Sequence, residues 1–319
     1  MKPKHLLTLL ACALLHAHAP AFAAAPSASA PGGIFRTNVG ALEVTALGDG
    51  VGSLPIGVLQ GDASVITGLL GEDGIAGANF PATVNAYLVK SGGKFILVDT
   101  GSGGNWGPPE LGHVLANLRA AGVRPDQVDL VLITHLHADH VGGLVTASGA
   151  AVFPKAVVRV AQADSDFWLS EKIAAGAPPE ARDFFTVARK SAAPYLKSGH
   201  WQPFKPGETV APGVEALAMP GHTPGHTGFQ FSSNGQQLLV WGDVVHAVQV
   251  QMIHPEVAMA FDSNPATAVT DRKRLFAALA SGNALVAGAH LPFPGLGRVK
   301  ASGASYRWIA APYPSPTPN

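Results

Sequence analysis

Cysteine occurs once in the 319 residues, as Cys12, so the chain cannot close a disulfide on itself or build a thiolate-rich metal site. Charge is scarce as well: 13% of residues are charged, with 21 basic side chains against 21 acidic ones. A nucleic-acid binder needs a basic face to displace counterions, and the longest basic run is Arg272-Lys273-Arg274, which reads as a solvated helix face. Nucleic acid is therefore excluded as a partner. No apolar stretch reaches the roughly 20 residues of a membrane span, because His16, His18 and Pro20 interrupt the one near the N-terminus. Nor is there a Gly-x-Ser-x-Gly elbow, so a serine hydrolase lacks its nucleophile. The cluster Gly101-Ser102-Gly103-Gly104 falls short of a dinucleotide loop, since Trp106 stands at the third glycine's place, and it reads as a flexible active-site loop.

Apolar residues make up 47% of the chain, enough for a large core, and histidines number 13. Metal or acid–base chemistry in this protein must use imidazole and carboxylate. A basic n-region (Lys2, Lys4), the apolar residues 6–15 and the small-x-small site Ala21-Phe22-Ala23 read as a secretory signal peptide over 1–23, which implies a periplasmic or secreted protein. A lipoprotein site at Cys12 is a weaker reading of the same segment. Cleavage after Ala23 removes the only cysteine and three of the histidines. Residues 24–33 read as a flexible leader, 34–312 as one α/β domain, and 313–319 as a Pro-rich tail.

Within the domain, 42–47 alternates like a strand, and 83–89 and 94–99 form a hairpin around Ser91-Gly92-Gly93. A helix over 111–121 precedes a wholly apolar strand at 130–134, the mark of burial on both faces. Further strands are predicted at 156–160, 214–218, 228–231, 238–241, 284–287 and 305–311. Helices are predicted at 163–169, 179–196 and 265–280, the last entered through the N-cap candidates Asp262-Ser263-Asn264.

Directly after the buried strand stands Thr134-His135-Leu136-His137-Ala138-Asp139-His140. In extended chain, residues two apart share a face, so His135 and His137 point one way. Asp139 and His140 fall where the chain turns into a helix and can serve a second centre, so four donors in six residues suit two adjacent metals. Distant candidates follow other strands: His222 in a Gly/Pro-punctuated loop, Asp243 after 238–242, and His290 after 284–287. Each stands where α/β sheets present functional groups.

These motifs resemble the metallo-β-lactamase superfold: His-x-His-x-Asp-His, a Gly-His loop, a Gly-Asp, a late His, and Val98-Asp99-Thr100-Gly101 at a strand end. The resemblance implies an αββα sandwich in a single domain, with two divalent ions, zinc on imidazole-rich ligands, that activate a bridging hydroxide. It places one ion on His135, His137 and His222 and the other on Asp139, His140 and His290, with Asp243 bridging. Asp139 is also the catalytic candidate, orienting the nucleophile, while His226 supports its loop rather than ligating. Within the superfold the sequence is most similar to the methyl parathion hydrolases. The stretches Asp166-Phe167-Trp168-Leu169-Ser170 and His290-Leu291-Pro292-Phe293-Pro294-Gly295 extend that likeness beyond metal binding. That resemblance implies a pocket of Trp106, Trp168 and Phe184 and a homodimer. It departs at His246, where those hydrolases carry an apolar residue. The expected substrates are organophosphate triesters and aryl esters, or alternatively acyl-homoserine lactones. A β-lactamase fits less well, because those enzymes lack an aspartate corresponding to Asp243. A glyoxalase II needs a helical segment that the 29 residues after His290 do not supply.

Overall fold

The computed structural model describes residues 33–312, so the expected signal peptide with Cys12, most of the expected leader and the tail 313–319 lie outside the described residues. The chain opens with β1 (Ile34–Val39), β2 (Leu42–Pro55), β3 (Leu59–Gln60), α1 (Ala63–Glu72), β4 (Asn79–Ser91) and β5 (Lys94–Val98). Next come α2 (Val114–Ala120), β6 (Leu130–Leu132), α3 (Ala138–Val141), β7 (Val157–Arg159), α4 (Gln162–Trp168), α5 (Glu171–Gly176) and α6 (Arg182–Ser198). The second half holds β8 (Val214–Ala218), β9 (Thr227–Ser233), β10 (Gln236–Val240), α7 (Val248–Gln251), β11 (Ala258–Met259), α8 (Pro265–Ser281), β12 (Leu285–Ala287), β13 (Leu296–Ser302) and β14 (Ser305–Ala310).

The strands form two six-stranded sheets, ordered β1-β2-β4-β5-β6-β7 and β14-β13-β12-β10-β9-β8, with β3 and β11 in a small ribbon of their own. Strand periodicity assigns the faces. Ile96, Val98 and Leu132 of the first sheet meet Phe229, Leu238, Val240 and Ala287 of the second in a shared core. The alternate residues Leu97 and Val131 turn outward onto Leu118 of α2 and Val187 and Ala188 of α6. On the far side, Leu239, Trp241 and Val286 pack under Phe276 and Leu279 of α8. The result is an αββα sandwich. Among the described residues no helix is long and apolar enough to cross a membrane.

Several elements depart from the sequence expectations. The helix expected from 111 starts at Val114, because Gly112 adopts φ +101° and lies so close to Gly104 that a Cβ would come within 2.4 Å of its backbone. Strand β2 runs on to Pro55 through an irregularity at Gly48/Gly50, well past the expected end at 47. The Gly101–Gly104 segment is not a free loop. Ser102 N–H donates to the buried Asp49 carboxylate at 2.9 Å, and a Cβ on Gly103 would lie 2.6 Å from the Gly142 carbonyl. Of the three candidate caps of α8 only Asn264 performs that task, its Oδ1 accepting from Thr267 N–H.

Candidate metal centre

Parallel pairing of β5 with β6, and of β10 with β12, brings the ends of these strands to one edge of the sandwich. Thr134 and His135 follow β6, Asp243 follows β10 and His290 follows β12, while His222 comes from the β8–β9 connection. Asp99, just past β5, holds a left-handed φ of +59°, a strained value for a non-glycine residue. In that conformation its carboxylate accepts from Thr134 N–H at 2.8 Å, Thr134 Oγ1–H at 2.8 Å and His140 Nδ1–H at 2.9 Å.

The structure gathers the sequence-predicted donors, all buried except the half-buried Asp139, into groups whose ligand atoms lie within 4.8 Å of one another. One is His135, His137, His222 and Asp243; a second is Asp139, His140 and His290; a third joins Asp243 and His290 to His246. On Asp243, Oδ2 lies 2.9 Å from His290 Nε2, 3.1 Å from His246 Nε2 and 3.2 Å from His222 Nε2, while Oδ1 is 3.2 Å from His140 Nε2. One carboxylate therefore faces both clusters.

The second nitrogen of each ring explains its orientation. His222 Nδ1–H donates to Asp262 at 2.8 Å, and His290 Nδ1–H donates to the Thr83 carbonyl at 2.8 Å. Each proton is thus fixed on Nδ1, which turns Nε2 toward the centre. Such partners left no periodic or spacing signal in the sequence. Asp262 was visible only as a cap candidate, and Asp99 only as a strand end.

His226 has both nitrogens engaged: Nδ1–H donates to the Met219 carbonyl at 3.0 Å, and Nε2 accepts from Asp243 N–H at 2.9 Å. Burial, then the neighbouring His222, pushes its pKa down to about 3, so the ring stays neutral as that pattern demands. It holds the aspartate from behind and has no lone pair left for a cation.

Charge in the centre is matched group by group. Burial works against ionising Asp243, yet the surrounding imidazoles, His140 foremost, hold its carboxyl well below the usual range. Asp139 behaves alike, lowered by His140 and His290 against the effect of burial. Burial also opposes charge on His222, but Asp243 and Asp262 outweigh it and raise its pKa to about 9.

Divalent cations fit this donor set. Three buried polar atoms, His135 Nε2, His140 Nε2 and Asp243 Oδ1, have no hydrogen-bond partner among the described residues, although they crowd together. Buried polar groups seldom go unpaired without a ligand or ion to satisfy them. His222 Nε2 and His137 Nδ1 face each other at 3.1 Å, close to the edge of a tetrahedron with metal–nitrogen bonds of about 2.0–2.1 Å.

Two cavities share His137, Phe184 and Phe261 as a common wall. The smaller, about 300 Å³, is lined by Asp139, Asp243, His246 and His290 together with Trp106 and Leu111. The larger, about 880 Å³, is walled by Phe167, Trp168, Ile173 and Phe185 and touches the donor cluster through His137 alone. The expected pocket residues are therefore divided. Trp106 and His246 stand in the smaller cavity, Trp168 in the larger and Phe184 between them. His246 is stacked on His290 at 4.7 Å and held by Gln251, whose Oε1 accepts from the backbone N–H of His246 and Ala247.

Fold and site together define a hydrolase with a His/Asp centre suited to divalent cations, set at the edge of an αββα sandwich. The sequence model of the metallo-beta-lactamase superfamily matches residues 80–290, and the chain belongs to that superfamily. Among solved structures it is similar to AbOPH, a hydrolase in the beta-lactamase superfamily, with 33% identity, a TM-score of 0.83, and coverage of 89% of this chain and 99% of that one. It is also similar to AidC, a dizinc quorum-quenching lactonase solved with its N-hexanoyl-L-homoserine product, at 26% identity, a TM-score of 0.81 and the same coverages of 89% and 99%. The uncharacterized protein YobT of Bacillus subtilis (strain 168) is 29% identical over 166 residues, 51% of this chain and 64% of its own length. Metallo-beta-lactamase domain-containing protein 1 of Mus musculus is 42% identical over 76 residues, 24% of each chain. The chain thus spans under two thirds of the length of these two curated relatives.

Proposed function

We propose that the protein is a dinuclear metal-dependent hydrolase whose substrates are carboxylic esters or lactones bearing an extended apolar arm. The observation that carries this reading is the pairing of the small cavity over the donor cluster with the 880 Å³ aromatic cavity beside it. The scissile group belongs in the first, against Asp139, Asp243 and His290, and the arm in the second, where burial of each CH₂ contributes about 0.8 kcal/mol. Likeness to a dizinc lactonase over 89% of the chain supports the same substrate class.

His135, His137 and His222 would hold one ion and Asp139, His140 and His290 the other, with Asp243 shared. Divalent ions held there, zinc on such ligands, supply Lewis-acid polarisation of the scissile group and acidify a bound water toward a pKa of about 7. Asp139, whose side chain is 30% exposed and faces the smaller cavity, stays ionised, so its carboxylate can accept a hydrogen bond from the attacking water and orient it. His246 presents a further polar ring to that cavity, 3.1 Å from Asp243 Oδ2, where it can meet the substrate's polar head. Trp168 and Phe184, with ring centroids 5.3 and 5.2 Å from His137, close the site to water from the apolar side.

A second reading, organophosphate triesters or aryl esters as in the methyl parathion hydrolases, draws on those same aromatic faces, against which a flat leaving group stacks. Rates on a long-chain acyl lactone, an aryl ester and a dimethyl phosphotriester separate the two. The proposal expects the lactone or long-chain ester to lead by at least tenfold in kcat/KM and to fall as the arm is shortened. Preference for the compact phosphotriester would overturn it in favour of the second reading. Export is supported by the basic, apolar and small-x-small pattern of the first 23 residues.

A further inference from the structure

Asp164 lies outside the donor clusters and is fully buried on the first turn of α4, yet its carboxylate ties together two ligand-bearing loops. Oδ2 accepts from Leu136 N–H at 3.1 Å, between His135 and His137, and from Thr223 Oγ1–H at 3.0 Å, next to His222. Oδ1 accepts from Gly225 N–H at 2.6 Å, in the same loop as His222. The approach is close enough that a Cβ on Gly225 would lie 2.5 Å from Asp164 N, so this position requires glycine. The second cluster is held differently. Its His140 is fixed by Asp99 and its His290 by the Thr83 carbonyl, and among the described residues neither ring hydrogen-bonds to Asp164.

We infer that Asp164 is a positioning residue that sets cation affinity selectively at the His135/His137/His222 position, by locking the Leu136 backbone to the Thr223–Gly225 turn. The inference rests on the dinuclear reading above. Without this carboxylate, three donors lose their acceptor at once, and the two loops can separate by the fraction of an ångström that imidazole ligation does not tolerate. The other position keeps its own supports.

The test is titration of metal-free full-length protein with cobalt(II), followed by visible absorption and by the melting temperature. Wild type is expected to bind two equivalents. The variants His222→Ala and His290→Ala supply the reference spectra of a chain that lacks one or the other position. Asp164→Asn, which keeps the volume but presents an N–H₂ to a donor, is expected to weaken one equivalent by about 10- to 100-fold, a range found when ligand-supporting groups are removed. Its residual spectrum should match that of His222→Ala. Thr223→Val removes one of the three hydrogen bonds and is expected to give a smaller loss at the same position, so the inference survives a failure of Asp164→Asn to fold. Wild-type affinity for both equivalents in the two variants, or an equal loss at both positions, overturns the inference and leaves the dinuclear reading standing. No cobalt uptake by wild type overturns the dinuclear reading and the inference with it.

Discussion

Tyr195 shows how a single buried polar group ties the helical layer to the sheet. Its hydroxyl donates to the Leu144 carbonyl at 2.8 Å and accepts from Phe153 N–H at 3.1 Å, bracing the segment that follows the α3 donors. Burial pushes its pKa up to about 12 from the ordinary 10, so the folded state prefers the protonated ring. That contribution is intact below about pH 10 and is lost as the pH climbs through 12, and it amounts to roughly 3 kcal/mol. Tyr195→Phe is expected to lose about 1–3 kcal/mol at pH 8, by orphaning the buried Phe153 N–H while the Leu144 carbonyl keeps its bond from Val152 N–H, and to show a flatter alkaline limb. Urea unfolding at pH 8 and pH 11 checks both outcomes. His226 makes the complementary case, since His226→Ala should retain both metal equivalents while its melting temperature falls. Loss of an equivalent comparable to that in His222→Ala would return His226 to the ligand set.

Among the elements, β6 is the one on which the centre depends most. Leu132 is fully buried between the sheets, two residues before Thr134 and three before His135. Leu132→Ala is expected to cost about 2–5 kcal/mol, read as a lower urea midpoint at unchanged slope. At the entry to α8, Asn264→Ala should cost about 1 kcal/mol by removing the acceptor for Thr267 N–H, whereas Asp262→Ala should weaken metal binding through His222. The two residues stand two positions apart in the sequence and do different work, a difference that composition does not carry. Strands β5, β6 and β10 were legible because parallel strands buried on both faces read as unbroken apolar runs. Helix α1 was not. Its sequence ASVITGLLGE holds two glycines and the β-branched run Val65-Ile66-Thr67, which mask the short apolar set Ile66, Leu69 and Leu70, and it forms because Ile66 and Leu70 are buried against Phe80 and Val250 while Asp62 caps it. Strand β13, LGRVKAS, was missed for a similar reason: its ladder with β14, set by pairing such as Val299 with Trp308, supplies the order that its own residues do not.

At the scale of the molecule, the seven donor positions stood out in the sequence because ligand chemistry confines them to a few side-chain types at strand ends. Their supports did not stand out: Asp164, Asp262, Gln251 and the Thr83 carbonyl become functional only through pairings across 40 or more residues or through backbone atoms. Charge is correspondingly concentrated. A chain with 21 residues of each sign places Asp99, Asp139, Asp243 and Asp262 around one histidine cluster. Removal of metal by a chelator should therefore lower the melting temperature as well as abolish hydrolysis, because buried carboxylates and imidazoles are left without their partner. In the dinuclear reading Asp243 joins two cation positions in one centre. Elemental analysis of purified wild type beside Asp243→Ala tests it most directly. Two metal ions per chain in the wild type and fewer than one in the variant is the expected result. Two ions retained in Asp243→Ala, or none in the wild type, would contradict it.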